Sequence, residues 1–416
     1  MAVEAFAPAA ATGAATESRG IDRAWGTALA AGLCVGLGVG PMALFTFGVF
    51  VGPILDDTGW TKDIVAAAVG PATLLLAIGQ PLAGMLADRF GVRLVILSVA
   101  PLFAACLAMV GLVPQDPKTF SILFALLFFI GAGTAPPPFV QAISGWFDRR
   151  RGVALSVVFA GASLGIALVS PLAAALIGAW GWRVTYALLG MIALIAMIPS
   201  ALFLLKDAPQ NNRKSTSNAD GLTIGQTLRT GRFWVMFVSF GMATAVIAGC
   251  AINLPVILSG RGIAPQQAAF IMTVVGAANF AGRIAMGLML DRWFSPWATA
   301  ATWFAPFLAF LLLMGSDGAA AMIVAAALLG FGLGCESDAL AYIASRAFGL
   351  RHVGAVYGLV FMAYGIGAAV GPALFSVVLQ RGGDLSFVFP IAAAIIAAAA
   401  ALLMCLRLRH LPFTAK

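Results

Sequence analysis

The sequence predicts an all-α integral membrane protein of twelve transmembrane helices arranged as two six-helix repeats. Three observations carry that expectation. Of 416 residues, 62% are hydrophobic and 10% charged, a balance far from that of a soluble domain. The apolar residues gather into continuous runs, each long enough at about 20 residues to cross a bilayer as a helix. Segments of the first half of the chain recur in the second at near-constant offsets.

The runs lie near 25–51, 64–86, 94–113, 120–142, 152–177, 184–205, 233–258, 267–290, 298–315, 319–343, 353–379 and 386–406. A closed barrel would show short alternating segments instead, so continuous runs mean helices. Prolines inside several of them, such as Pro81, Pro101, Pro171 and Pro372, predict bent helices. Lysine and arginine set the topology. With the N-terminus inside, 18 of the 24 basic residues fall on the cytoplasmic side and five outside, leaving only Arg283 within a run. Both termini are therefore expected in the cytoplasm of a cell whose plasma (inner) membrane the chain crosses many times.

The expected organisation is a cytoplasmic tail over 1–24, a six-helix bundle over 25–205, a polar linker over 206–232, a second bundle over 233–406 and a tail over 407–416. The first residues lack the apolar core of a cleaved signal. The net charge of +8 is scattered at the ends of runs with no basic face, so nucleic acid is not expected as a partner. Five cysteines lie in or beside apolar runs without metal or disulfide spacing. No metal, cofactor or required protein partner is expected, and no nucleophile–base set points to an enzyme. Gly32, Gly36, Gly38 and Gly40 have no strand before them and no lysine after, which favours close helix packing over a phosphate loop.

The repeats are specific. Gly84-Met85-Leu86-Ala87-Asp88-Arg89 returns as Gly287-Leu288-Met289-Leu290-Asp291-Arg292, an offset of 203; Gly131-Ala132-Gly133 returns as Gly332-Leu333-Gly334 and Ser170-Pro171 as Gly371-Pro372, both at 201. A duplicated bundle puts a substrate site at midplane between its halves.

Arg283 stands out against this background. It sits in the middle of the run at 267–290, where an unpartnered guanidinium costs several kcal/mol. Asn279 is one turn earlier on the same face. At the repeat offset Arg283 replaces Gln80, and Glu336-Ser337-Asp338 replaces Ala135-Pro136-Pro137, so ionisable groups concentrate in the second half. Counting about 1.5 Å per residue from Asp291 and Arg346 puts Arg283, Glu336 and Asp338 at similar depth. Residues two apart on a helix point in nearly opposite directions, so one acid faces the central cavity and the other its own bundle. Arg283 reads as a substrate-anion site or as one member of an ion pair with either acid. Asp338 reads as a proton carrier or as a loop-locking partner of Arg346. Glu336, the deeper acid, is the first choice for a coupled proton.

The Gly84, Asp88, Arg89, Gly91 loop, its copy at Gly287, Asp291 and Arg292, and the six-plus-six layout resemble the major facilitator superfamily of transporters over the whole chain. Within it, Trp146-Phe147-Asp148-Arg149-Arg150-Arg151-Gly152 and Phe348-Gly349-Leu350-Arg351-His352-Val353-Gly354, with Arg283 in its spacing to Gly287 and Asp291, resemble the monocarboxylate transporter and oxalate–formate antiporter branch. The resemblance implies that the Asp-Arg loops (Asp88, Arg89, Asp291, Arg292) act in conformational change and that Arg283 meets a carboxylate. It also implies a second cation seven residues after Tyr357 in oxalate exchangers. Here that position is Tyr364, so one carboxylate is expected, with Tyr364 beside it. Animal relatives carry an aspartate where this chain has Asn279, which shifts the proton to Glu336 or Asp338.

The expected function is therefore proton-coupled symport of a small monocarboxylate such as lactate or pyruvate by alternating access, with substrate, proton and membrane lipid as partners. The alternatives are a proton-coupled exporter of cationic or amphipathic compounds, and an organic-anion exchanger.

Overall fold

In the computed structural model the described residues are 8–112, 116–147, 150–206, 221–293, 296–315, 318–380 and 387–406, and every regular element among them is a helix. Ten helices are long and apolar enough to cross a membrane: α1 (Asp22–Thr58), α2 (Lys62–Phe90), α3 (Val92–Gly111), α4 (Pro117–Trp146), α5 (Arg151–Leu204), α6 (Gly231–Gly260), α7 (Gln266–Arg292), α8 (Pro296–Gly315), α9 (Ala319–Phe348) and α10 (Val353–Val378). A shorter apolar helix, α11 (Val388–Met404), follows.

The twelve expected runs all fall on helices, yet ten rather than twelve qualify as candidate spans. Two local causes account for the difference. The fifth and sixth runs share α5, whose 54 residues greatly exceed the about 20 that one crossing requires. The chain leaves helical geometry within it at Gly181, where φ is +77°, a conformation that favours glycine. The twelfth run yields the 17 residues of α11. Of the expected linker, Lys206 and residues from 221 on are described; Thr223 closes a capping box on a short helix, Ile224–Leu228, and the Leu222 N–H donates to the Phe348 carbonyl at 3.0 Å. Residues 207–220, the first seven residues, Asp148, Arg149 and the tail from 407 on lie outside the described residues.

Small residues set how the helices pack. A Cβ on Gly32, Gly36, Gly161 or Gly165 would run into backbone across the α1–α5 contact, so the glycine row of α1 is a packing surface, as its sequence suggested. In the second half Gly367 and Gly371 of α10 lie against Gly241 and Ala245 of α6. Gly282 of α7 lies against Phe331, and Gly330 and Gly334 of α9 against Val275 and Asn279. Close backbone approach of this kind is how helices associate where lipid removes the hydrophobic drive between them. Aromatic rings fill the wider gaps: Phe50 stacks on Tyr186 at 4.1 Å, and Phe47, Phe124 and Phe128 form a chain of rings at 4.9 Å spacings. Large apolar side chains such as Leu29, Leu168 and Ile195 are exposed, which suits surfaces meant for hydrocarbon.

The two halves of the chain meet through α2 and α4 on α10, and through α5 on α7 and α9. A test of the packing rule is Gly161→Leu. The side chain collides with Gly32 across the α1–α5 contact, and overpacking of this kind costs about 1–3 kcal/mol. The thermal unfolding midpoint in detergent should fall by several degrees, while Gly178→Ala, in a helix with open space around it, should hold or raise the midpoint, since alanine is the better helix former.

Candidate functional site

Asn279, Arg283, Gly287 and Asp291 recur every four residues and so share one face of α7. Gly334 lets α9 approach that face; a Cβ there would strike the Asn279 carbonyl and come within 3.0 Å of the Arg283 nitrogen. The approach brings the next turn of α9 to the guanidinium. Arg283 Nη1 donates to Asp338 Oδ1 at 3.1 Å and to Ser337 Oγ at 2.9 Å, and Nε donates to Ser163 Oγ at 2.8 Å and Asn279 Oδ1 at 3.3 Å. The Phe159 ring lies 5.7 Å from its Cζ. The arginine side chain is 11% exposed and that of Asp338 fully buried. Removing one member of such a pair strands a buried charge at a cost of about 3–5 kcal/mol.

The pair is intramolecular and also reaches across the chain. Ser156 on α5 donates to Asp338 Oδ2 at 2.7 Å and lies 2.9 Å from the Arg283 carbonyl. With Ser163 it places two hydroxyls of the first half on the charged centre of the second. Nη2 of Arg283 takes part in no hydrogen bond among the described residues.

The two acids of α9 separate as the helix geometry requires. Asp338 faces Arg283 and the first half, and Arg346, its expected loop partner, lies over the Tyr342 ring at 5.5 Å. Glu336 points into its own half, where its Oε1 is 2.5 Å from Thr244 Oγ1 on α6; its Oε2 is buried without a hydrogen bond among the described residues. Tyr364 is half-buried, stacks on Phe361 at 5.0 Å with nearly parallel rings, and lies within electrostatic reach of Glu336, Arg283 and Asp338. It makes no hydrogen bond among the described residues.

The loop aspartates work through backbone. Asp88 Oδ1 and Oδ2 accept from the Gly354 and Ala355 N–H groups at 3.0 and 2.9 Å, at the start of α10. Asp291 accepts in the same way from Gly152 and Val153 at 2.8 and 3.0 Å, at the start of α5. Each half thus caps a helix N-terminus of the other, satisfying unpaired donors and complementing the helix dipole. Gly84 and Gly287 supply the room: each sits against the glycine that its neighbouring aspartate binds, Gly354 and Gly152. Arg89 and Arg292 are exposed, and Arg89 lies over the Phe90 ring at 5.1 Å. Arg151, buried, donates to the Phe147 carbonyl at 3.0 Å and to Ser345 Oγ at 3.2 Å across the halves. In the turn before α10, burial and then the neighbouring Arg351 hold His352 below its usual range.

Ser156, Ser163, Ser337, Thr244 and Arg151 were not anticipated. The seven-residue spacing of Ser156 and Ser163 was the available signal, since it places both on one face of α5. The described hydrogen bonds between the halves extend from the Asp88 and Asp291 caps to Ser163 and Asn279. Each lost N-cap costs about 1 kcal/mol, so Asp88→Ala with Asp291→Ala should open this end. Maleimide labelling of Ser345→Cys, on a Cys405→Ser background, should accelerate about tenfold or more.

Residues 33–372 match the family described as Major Facilitator Superfamily. The chain is 24% identical over 343 residues to the uncharacterized MFS-type transporter YhjX of Escherichia coli, spanning 78% of this chain and 82% of that protein. It is 28% identical over 258 residues to the MFS-type transporter pytF of Aspergillus terreus, spanning 60% and 72%. It is 26% identical over 199 residues to the oxalate:formate antiporter of Oxalobacter formigenes, spanning 47% of each.

Proposed function

Since the chain belongs to the Major Facilitator Superfamily, we propose that it is a secondary active transporter of small monocarboxylates of the lactate and pyruvate type, carrying each with a proton by alternating access. One observation carries the substrate reading. Arg283 is held between the halves by neutral oxygens from Ser163, Asn279 and Ser337 and by a single carboxylate, with Nη2 uncommitted. A guanidinium held this way favours a planar, bidentate anion. A substrate carboxylate takes Nη2 and competes with Asp338 for Nη1. One cation suits one carboxylate, and Tyr364 occupies the position where the resemblance to oxalate exchangers calls for a second cation. The partial match to a protein named for oxalate and formate agrees with a small organic anion. Transport of cations is less well supported, because Asp338 is already engaged by Arg283, Ser337 and Ser156.

In this reading the chain crosses a plasma (inner) membrane twelve times, α5 counting as two spans about Gly181 and α11 as the last, with both termini cytoplasmic. Residues 25–205 and 233–406 form two bundles joined by the linker at 206–232. They rock about the Arg283 level, and the Asp88 and Asp291 caps, expected on the cytoplasmic side from the lysine and arginine distribution, hold that side shut. Asn279 and Tyr364 complete the substrate shell, and one of the two acids of α9, Glu336 or Asp338, carries the proton.

Uptake of labelled lactate, pyruvate and a panel of other organic acids into proteoliposomes, with and without an inward proton gradient, tests the reading directly. Accumulation of organic cations in place of acids would overturn it. Arg283→Lys keeps the charge but loses the fork, and uptake should fall about tenfold or more; near-normal uptake by a well-inserted variant would rule out bidentate carboxylate binding. Tyr364→Lys should shift preference toward dicarboxylates, read as competition by oxalate or succinate. If dicarboxylates neither compete nor accumulate in the folded variant, Tyr364 does not border the substrate.

A further inference from the structure

Thr244 has one hydroxyl hydrogen and two close oxygens: the Phe240 carbonyl at 2.7 Å and Glu336 Oε1 at 2.5 Å. If Glu336 were ionised, that hydrogen would serve one acceptor and leave the other oxygen pair in short contact with no proton between them. With a proton on Glu336 both contacts are made. Oε1–H donates to Thr244 Oγ1, and Thr244 donates to the carbonyl one turn back on its own helix. The surroundings agree. Glu336 is fully buried, and an ionised carboxylate without a cation is not stable in such a place. Arg283 on α7 is engaged by Asp338, Thr244 on α6 is neutral, and α10 brings only the phenols of Tyr357 and Tyr364 toward the α9 acids. No hydrogen bond among the described residues joins Glu336 to the Arg283–Asp338 pair.

We propose that Glu336 is a resident neutral carboxylic acid that positions the charged site by donating its proton to Thr244, rather than the acid that takes up the travelling proton. Successive residues of a helix are rotated by about 100°. Tying Glu336 to α6 therefore fixes the rotation of α9 that turns Ser337 and Asp338 toward Arg283 on the opposite side. Gly334, one half-turn earlier, leaves room for the approach to α7 but makes no side-chain contact to hold it, so the Thr244 tether supplies the orientation. The role given to Glu336 rests on the Arg283 substrate reading; its protonation state does not.

The test has two arms. Infrared spectra of the lipid-reconstituted protein near neutral pH should contain the carbonyl band of a protonated carboxylic acid, sensitive to deuteration. The band should vanish in Glu336→Gln, persist in Asp338→Asn and move to higher frequency in Thr244→Val, which removes its acceptor. In transport, Glu336→Gln, whose amide also donates to Thr244, should keep gradient-driven accumulation within about twofold, whereas Glu336→Leu should lose about tenfold or more. Glu336→Gln that still exchanges substrate but no longer accumulates it would put the coupled proton on Glu336 and overturn the proposal. Identical infrared spectra for wild type and Glu336→Gln would also overturn it. Should Glu336→Gln fail to insert, an unshifted band in Thr244→Val overturns it instead. If the wild type carries no monocarboxylate, the substrate reading fails, and the infrared arm still decides the state of Glu336.

Discussion

A guanidinium in the middle of an apolar helix is the constraint around which this structure is arranged. Arg283 cannot be left bare in hydrocarbon, and its four hydrogen-bond partners come from three helices: Asn279 on α7, Ser337 and Asp338 on α9, and Ser163 on α5. Meeting that demand dictates the small residues nearby. Gly282, Gly330 and Gly334 let α7 and α9 approach, because a hydroxyl two bonds from its backbone reaches the arginine only if the helices nearly touch. The same demand couples the halves, since Ser156 serves Asp338 from across the interface. A site that needs both halves to satisfy one charge is altered whenever the halves move.

The joined end of the molecule follows a different logic. Among the described residues Asp88 and Asp291 grip backbone rather than side chains; each takes two N–H groups at the first turn of a helix in the other half. Those donors have no partner within their own helices, so each aspartate satisfies two of them at once and the caps are made or broken as units. The mirrored arrangement follows from the repeated Gly-x-x-x-Asp-Arg segment, whose glycine admits the partner helix and whose aspartate then caps it.

Much of this was legible in the sequence because bilayer physics leaves few choices. Apolar runs of spanning length must be helices, a mid-run arginine must be a site or a pair, and depth counted from Asp291 and Arg346 put Arg283 and Asp338 at one level, where they meet at 3.1 Å. What was not legible depended on rotation and on neutral groups. The spacing of Glu336 and Asp338 required them to diverge but did not say which would face Arg283; the glycines let α9 approach α7, and the contact of Glu336 with Thr244 on α6 sets the rotation. Ser156, Ser163 and Thr244 carry no signature among many small residues in apolar runs. The resemblance implies a conformational role for Asp88 and Asp291, but a loop motif rich in charge suggests charge pairing, and backbone capping is visible only with the start of the opposite helix beside each. At Gly181, hydropathy alone separated two runs, while the continuous α5 shows how one positive φ turns the chain with hardly any loop.

The mutual neutralisation of Arg283 and Asp338 has an electrical consequence. A protein that moves one unpaired charge through the whole membrane does work of about 2.3 kcal/mol for every 100 mV of potential. Here the two opposite charges sit 3.1 Å apart, so in the proposed cycle they would travel together when the empty site is re-exposed, and the field would act on almost no net charge. In that cycle the return of the unloaded protein would be insensitive to voltage. A dependence of that cycle on membrane potential would then come from the cargo: a carboxylate alone would make the loaded step run with or against the field, and a carboxylate with a proton would leave the whole cycle electrically silent.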